Sequence, residues 1–123
     1  VIYRRCLFVV REIQRVLDAV AALEAKDFAK LGDLMFKTHD GLSKNYEVSC
    51  EELDFLADAV RNNENVLGAR MMGGGFGGSI IALVEPDLAA TALEAILETY
   101  SAYLGGRPGA FVVRAAAGAG EVL

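Results

Sequence analysis

The stretch that decides the fold runs Val66-Leu67-Gly68-Ala69-Arg70-Met71-Met72-Gly73-Gly74-Gly75-Phe76-Gly77-Gly78-Ser79-Ile80-Ile81-Ala82-Leu83-Val84. Its flanks, Val66–Met72 and Ser79–Val84, are apolar runs of strand length, and its middle is almost all glycine. Strands joined by so short a connection fold back on each other as an antiparallel pair. Gly73-x-Gly75-x-x-Gly78 satisfies the letters of the dinucleotide-binding pattern, but that pattern needs a helix after the last glycine, and SIIALV reads as a strand. No lysine follows Gly78 either, so the P-loop reading also fails. A tight hairpin needs about two glycines. Each further one costs roughly 0.5–1 kcal/mol relative to alanine in regular structure. The excess points to another backbone or a ligand approaching closely, with loop amides free to donate.

Upstream of this hairpin the periodicity is helical. Val9, Ile13, Val16, Leu17, Val20 and Leu23 recur at helix spacing and predict one inward face. Asp27 is placed to cap a second helix with Phe28, Leu31, Met35 and Leu42 inward and Gly41 near its end. Ser49 and Glu52 have capping-box spacing and open a third helix, with Leu53, Leu56 and Val60 inward. Asn62, Asn63 and Asn65 stop it. Downstream, Pro86 suits a first helical turn, and Leu88, Ala92, Leu93, Ile96, Leu97, Tyr100 and Leu104 form a stripe ended by Gly105-Gly106. Ala110–Arg114 reads as a final strand. The expected architecture is α+β, a small antiparallel sheet with helices packed on one face, in one domain over residues 1–123.

Bulk properties narrow the function classes. A net charge of −5 argues against a nucleic-acid binder, and no run approaches the ~20 apolar residues of a membrane span. Arg4, Arg5, Arg11 and Arg15 read as a solvated helix face. A mean hydropathy of +0.33 is ascribed to the alanine content, the competing reading being apolar surface that a partner or missing domain covers. Cys6 and Cys50 read as reduced, buried thiols of an intracellular protein. With His39 the sole histidine, no metal site is expected. Asp54 and Asp58, one helical turn apart, read as a solvated face. The start at Val1, without methionine, suggests a piece of a longer protein.

Gly68-Ala69-Arg70-Met71-Met72-Gly73-Gly74-Gly75-Phe76-Gly77-Gly78-Ser79 resembles the third motif of the galactose, homoserine, mevalonate and phosphomevalonate (GHMP) kinase superfamily, in its galactokinase form. Leu34-Met35 through Thr38-His39, and Tyr46-Glu47-Val48-Ser49-Cys50-Glu51-Glu52-Leu53-Asp54, are similar to the segment galactokinases carry before that motif. Glu12 and Arg15-Val16 fit the preceding helix, and Ala117-Gly118-Ala119-Gly120 the family's ending. Met72 and Ser79 depart from the common Thr and Cys, and Phe8 and Ile13 replace residues usually polar.

The resemblance implies the ferredoxin-like C-terminal domain of such a kinase, with the N-terminal domain absent from this chain. The parent would be a cytoplasmic enzyme moving the γ-phosphoryl group of ATP, with Mg²⁺, to the C1 hydroxyl of galactose. This part would hold no catalytic residue, no metal ligand and no tightly bound cofactor, and would be inactive alone. Gly73, Gly74, Gly75, Phe76, Gly77 and Gly78 would form a loop facing the phosphates across a cleft. Arg70 is a candidate cleft residue, with a structural ion pair as its competing role. Tyr46 and Glu47 would fix the approach to the third helix, and His39 would bond the loop before Tyr46. Self-association of the isolated piece through its uncovered cleft face is a further expectation. Two alternatives stay open: a kinase for N-acetylgalactosamine, galacturonate or arabinose, and a non-catalytic module that senses sugar and nucleotide.

Overall fold

Residues 1–118 are described by the computed structural model. Helix α1 spans Ile2–Glu24, α2 Phe28–Gly41 and α3 Glu51–Arg61. Strands β1 (Val66–Met72) and β2 (Ser79–Val84) follow, and α4 covers Ala89–Leu104. Asp27 caps α2 by accepting the Lys30 N–H, and Gly105, at φ +71°, ends α4. Pro86 opens a short 3₁₀ turn that leads into α4.

β1 and β2 pair antiparallel, Arg70 opposite Ile81 and Met72 opposite Ser79. α3 and α4 share one face of this sheet. Val60 of α3, Ala92 of α4, Val66 and Ala69 form the centre of the core, with Phe36, Ile80, Val84 and Ile96 around them. Leu53 and Ala57 of α3 and Leu97 of α4 are buried beside them.

The remaining helices are arranged differently from a simple one-face layer. β2 occupies one edge of β1, which leaves a row of backbone groups on the other edge to be satisfied. α2 lies along that edge. Gly32 and Gly68 meet where they cross: a Cβ on Gly32 would stand 1.9 Å from the Leu67 carbonyl oxygen, and one on Gly68 would stand 2.2 Å from the Gly32 Cα. Seven residues along the helix, Nδ1 of His39 accepts the Met71 N–H at 3.1 Å. Seven helical residues rise about 10 Å, much as the three or four strand residues between the same contacts do, so helix and strand stay in step.

α1 forms an outer layer on α2 and on the single π turn, Leu42–Tyr46, that ends it. Phe8 is the anchor. Its ring fills the space above Gly41 and lies 5.5 Å from the Tyr46 ring. Glu47 pairs with both Arg4 and Arg5, so Tyr46 and Glu47 tie α1 to the turn.

Several expectations are corrected here. α1 turns Phe8 and Ala22 inward, and its apolar stripe outward: Val9, Ile13, Val16, Leu17, Val20 and Leu23 are 44–62% exposed. The stripe is real, but its partner is not among the described residues. The high hydropathy therefore includes uncovered apolar surface as well as alanine. In α2 the close contacts belong to Gly32, Thr38, His39 and Gly41, whereas Phe28 is exposed and Leu31, Met35 and Leu42 are half-buried. The capping box does not form: Cys50 is the N-cap of α3, and the Ser49 hydroxyl donates to Asp54. Cys6 is exposed and Cys50 half-buried, both free. Ala110–Arg114 is not a strand, and Phe111 is 81% exposed. A Phe-Val-Val run favours β structure only where a neighbouring strand completes its ladder, and none does among the described residues. The sheet therefore has two strands, within the expected α+β class. Ala119 and Gly120 lie outside the described residues. Among those described, no helix is long and apolar enough to cross a membrane.

Candidate functional site

The glycine loop Gly73–Gly78 connects β1 to β2 at the end of the sheet away from the Asn62–Asn65 turn. Four of its five glycines have φ between +81° and +137°, and Phe76 itself sits at +59°. Such a backbone is open to glycine and strained for other residues. One backbone does approach closely. Gly75 lies over the Val48 carbonyl, where a Cβ would stand 2.1 Å from the oxygen, and the next residue, Phe76, donates its N–H to the same oxygen at 2.7 Å. The Phe76 side chain is 75% exposed.

The other glycines answer the sequence question in a different way. A Cβ at Gly73, Gly74 or Gly77 would meet nothing within 4 Å, so these positions border open space. Among the described residues their amides have no backbone or side-chain acceptor. A pinned loop whose amides have no protein acceptor can offer them to anionic oxygens. Arg70 projects from the exposed side of β1, and no carboxylate pairs with it among the described residues. The expected structural ion pair is therefore not formed, and the guanidinium is left available to an anion.

Behind the loop lies a polar network. His39 is buried, 3% exposed. A backbone N–H can only donate, so the Met71 contact makes Nδ1 the acceptor and places the ring proton on Nε2. Nε2 then donates to Asp54 Oδ1 at 3.1 Å. Asp54 also accepts from Ser49 at 2.6 Å and from Ser43 at 2.8 Å. Partial burial pushes the Asp54 carboxyl up, but the Ser49 and Ser43 hydrogen bonds and the neighbouring His39 together hold it below the usual carboxylate range. Asp54 is thus no solvated partner of Asp58, which is exposed and lies 3.8 Å from the Arg61 guanidinium. Nor does His39 bond the loop before Tyr46; it bonds the strand that enters the glycine loop. Sequence reasoning missed this set because His39 lies 15 residues from Asp54 and 32 from Met71. The one available signal was the concentration of Ser43, Ser49 and Asp54 downstream of the sole histidine.

Among the described residues no group of three His, Cys, Asp or Glu side chains could hold a metal ion. A shallow surface pocket of about 450 Å³ is lined by Ala59, Asn63, Asn65 and Ile96 among others, at the far end of β1 from the loop.

Comparison with known proteins bears on this geometry. Residues 19–102 match the family described as GHMP kinases C terminal. The chain is 45% identical over 102 residues to a galactokinase of Thermotoga petrophila, covering 83% of this chain and 29% of the relative. It is also 45% identical over 98 residues to a galactokinase of Bos taurus, covering 80% of this chain and 25% of that one. The crystal structure of Lactococcus lactis galactokinase complexed with galactose superimposes with a TM-score of 0.80 at 38% identity. That match covers 85% of this chain and 27% of the other. The chain thus spans between a quarter and a third of the length of these relatives.

Proposed function

The chain belongs to the GHMP kinase C-terminal family, and on that premise we propose that it is the C-terminal part of a galactokinase, supplying the Gly73–Gly78 loop to the nucleotide side of the active-site cleft. The parent enzyme transfers the γ-phosphoryl group of ATP to the C1 hydroxyl of galactose. The observation that carries this reading is the loop itself: fixed at Phe76 and Gly75 by the Val48 carbonyl, with open space beside the Gly73, Gly74 and Gly77 Cα atoms and no acceptor for their amides among the described residues.

Phosphoryl transfer asks little covalent chemistry of the protein and much positioning and charge stabilisation. Unpartnered amides on a pinned loop meet that demand, because they need no reorganisation when charge develops on the phosphoryl oxygens. The absence of side chains lets the backbone itself come within bonding distance. Arg70, unpaired among the described residues, is the cation of this part best placed by its strand to join the cleft. The acidic and polar groups that activate the sugar hydroxyl, and any ligands to Mg²⁺, belong to the remainder of the enzyme. The names of the relatives support galactose over the related sugars, and a kinase over a sensing module. Free thiols and dependence on ATP suit the cytoplasm.

The α1 stripe supports a covering domain. Ile2, Cys6, Val9, Ile13, Val16, Val20 and Leu23 alternate at intervals of four and three, and Val10 and Leu17 widen the seam. A face this wide is buried in a bundle or a domain contact, not left in water.

A coupled assay of galactose-dependent ADP release tests the reading. The full-length parent with Mg-ATP should turn over, and this chain alone should not. Turnover by the purified chain alone would contradict the missing catalytic half. A parent that phosphorylates another sugar and ignores galactose would contradict the substrate.

A further inference from the structure

We propose that Asp54 and His39 are positioning residues that clamp the glycine loop from two sides. The geometry forms a closed circuit. On one side, His39 Nε2 donates to Asp54 while Nδ1 takes the Met71 N–H, two residues before Gly73. On the other, the Ser49 hydroxyl donates to the same Asp54 oxygen at 2.6 Å. Ser49 directly follows Val48, whose carbonyl receives the Phe76 N–H in the middle of the loop. Ser43, from the π turn, holds the second Asp54 oxygen. One carboxylate thus fixes both the strand that enters the loop and the segment on which the loop rests.

The chemistry is not that of a nucleophile and its base. Both His39 nitrogens are engaged, one by a backbone amide and one by a carboxylate, so the ring has no lone pair to offer a reacting group. The network is anchored in the core at His39 and half-exposed at Asp54. It therefore transmits order outward, from the buried edge of β1 to the loop at the surface. A loop that must hold its amides at fixed positions requires this, because its own side chains supply nothing to hold it.

The inference rests on the loop serving a nucleotide, and the test separates the two claims. The experiment uses the full-length kinase with His39→Asn, His39→Gln and Asp54→Asn substitutions. Asn keeps an acceptor near Nδ1 for Met71 and loses the donor to Asp54; Gln keeps the donor and loses the acceptor. Amide hydrogen exchange at Met71 and Phe76 is read first. It should rise about tenfold or more for Met71 in His39→Gln, and for Phe76 in Asp54→Asn. Met71 should stay protected in His39→Asn. In kinetics, the KM for Mg-ATP should rise about tenfold in His39→Gln and Asp54→Asn, with the KM for galactose within about twofold of wild type. Unchanged exchange at both amides in folded Gln and Asn variants would overturn the clamp. So would an equal rise in both KM values, which marks general disturbance of the fold. If the wild-type kinase does not use ATP and galactose, the functional reading fails, and the exchange data still decide the clamp.

Discussion

Gly75→Ala should be the most damaging single methyl in the glycine loop, and Gly74→Ala should be nearly silent. The added Cβ at position 75 would stand 2.1 Å from the Val48 carbonyl oxygen and 2.9 Å from the Met71 methyl. The methionine end can move; the carbonyl belongs to a backbone held by Ser49 and by the Val48 N–H on Leu42. Three costs combine. A φ of +85° is left-handed territory that costs an alanine about 1 kcal/mol. Relieving the overlap costs about 1–3 kcal/mol more. Displacing Val48 also endangers the Phe76 hydrogen bond, about 1 kcal/mol. Because relief of the overlap and loss of that bond are partly the same movement, the sum expected is about 2–4 kcal/mol. At Gly74 the added methyl meets nothing within 4 Å and φ is not in the positive region, so a change within about 0.5 kcal/mol is expected. Equilibrium urea unfolding of the chain, followed by circular dichroism, reads both. A Gly75→Ala protein as stable as wild type, or a Gly74→Ala protein equally damaged, would refute the argument that Val48 props the loop.

Other consequences are as direct. Gly32→Ala puts a methyl 1.9 Å from the Leu67 carbonyl and should separate α2 from β1, lowering stability by about 3 kcal/mol or abolishing cooperative unfolding in a thermal melt. Ile13→Glu with Val16→Glu, at positions 62% and 60% exposed, should leave the stability of the isolated chain within about 1 kcal/mol while suppressing its self-association in sedimentation velocity. Asp54 has a folded-state pKa below its ordinary value, so its stabilisation is present above the ordinary carboxyl range and is lost as pH falls through the folded value. Asp54→Asn should therefore flatten the stability profile below about pH 4, as pH-dependent denaturant midpoints would show.

The hairpin was legible because its signals are local. Two apolar runs and a glycine tract specify strand, turn and strand whatever surrounds them, and the Asp27 and Gly105 caps are likewise written within a turn of their helices. α1 was legible as a helix but not in its orientation. Its periodicity marks a face for which the described residues supply no partner; they cover the opposite side, through Phe8 and Ala22. The Phe-Val-Val strand failed for the same reason, since pairing is a property of the neighbour as much as of the segment. Ser49 had the right spacing for a capping box, but α3 begins one residue later, with Cys50 at the N-cap, and the Ser49 hydroxyl is turned to donate to the Asp54 carboxylate at 2.6 Å. The two His39 contacts and the Gly32–Gly68 crossing join residues 15 to 36 positions apart, a separation at which one sequence carries no distance information. For the crossing the isolated glycines were the local hint, since a glycine inside a helix or strand costs stability without a packing reason.

The most direct test of the central claim is amide NMR on the full-length kinase titrated with a non-hydrolysable Mg-ATP analogue. The account predicts that the Gly73, Gly74 and Gly77 amides shift and become protected from exchange, while Phe76, already bonded to Val48, changes least. If those three amides stay unchanged at saturation while other parts of the enzyme respond, the loop does not face the nucleotide, and its glycines need another explanation.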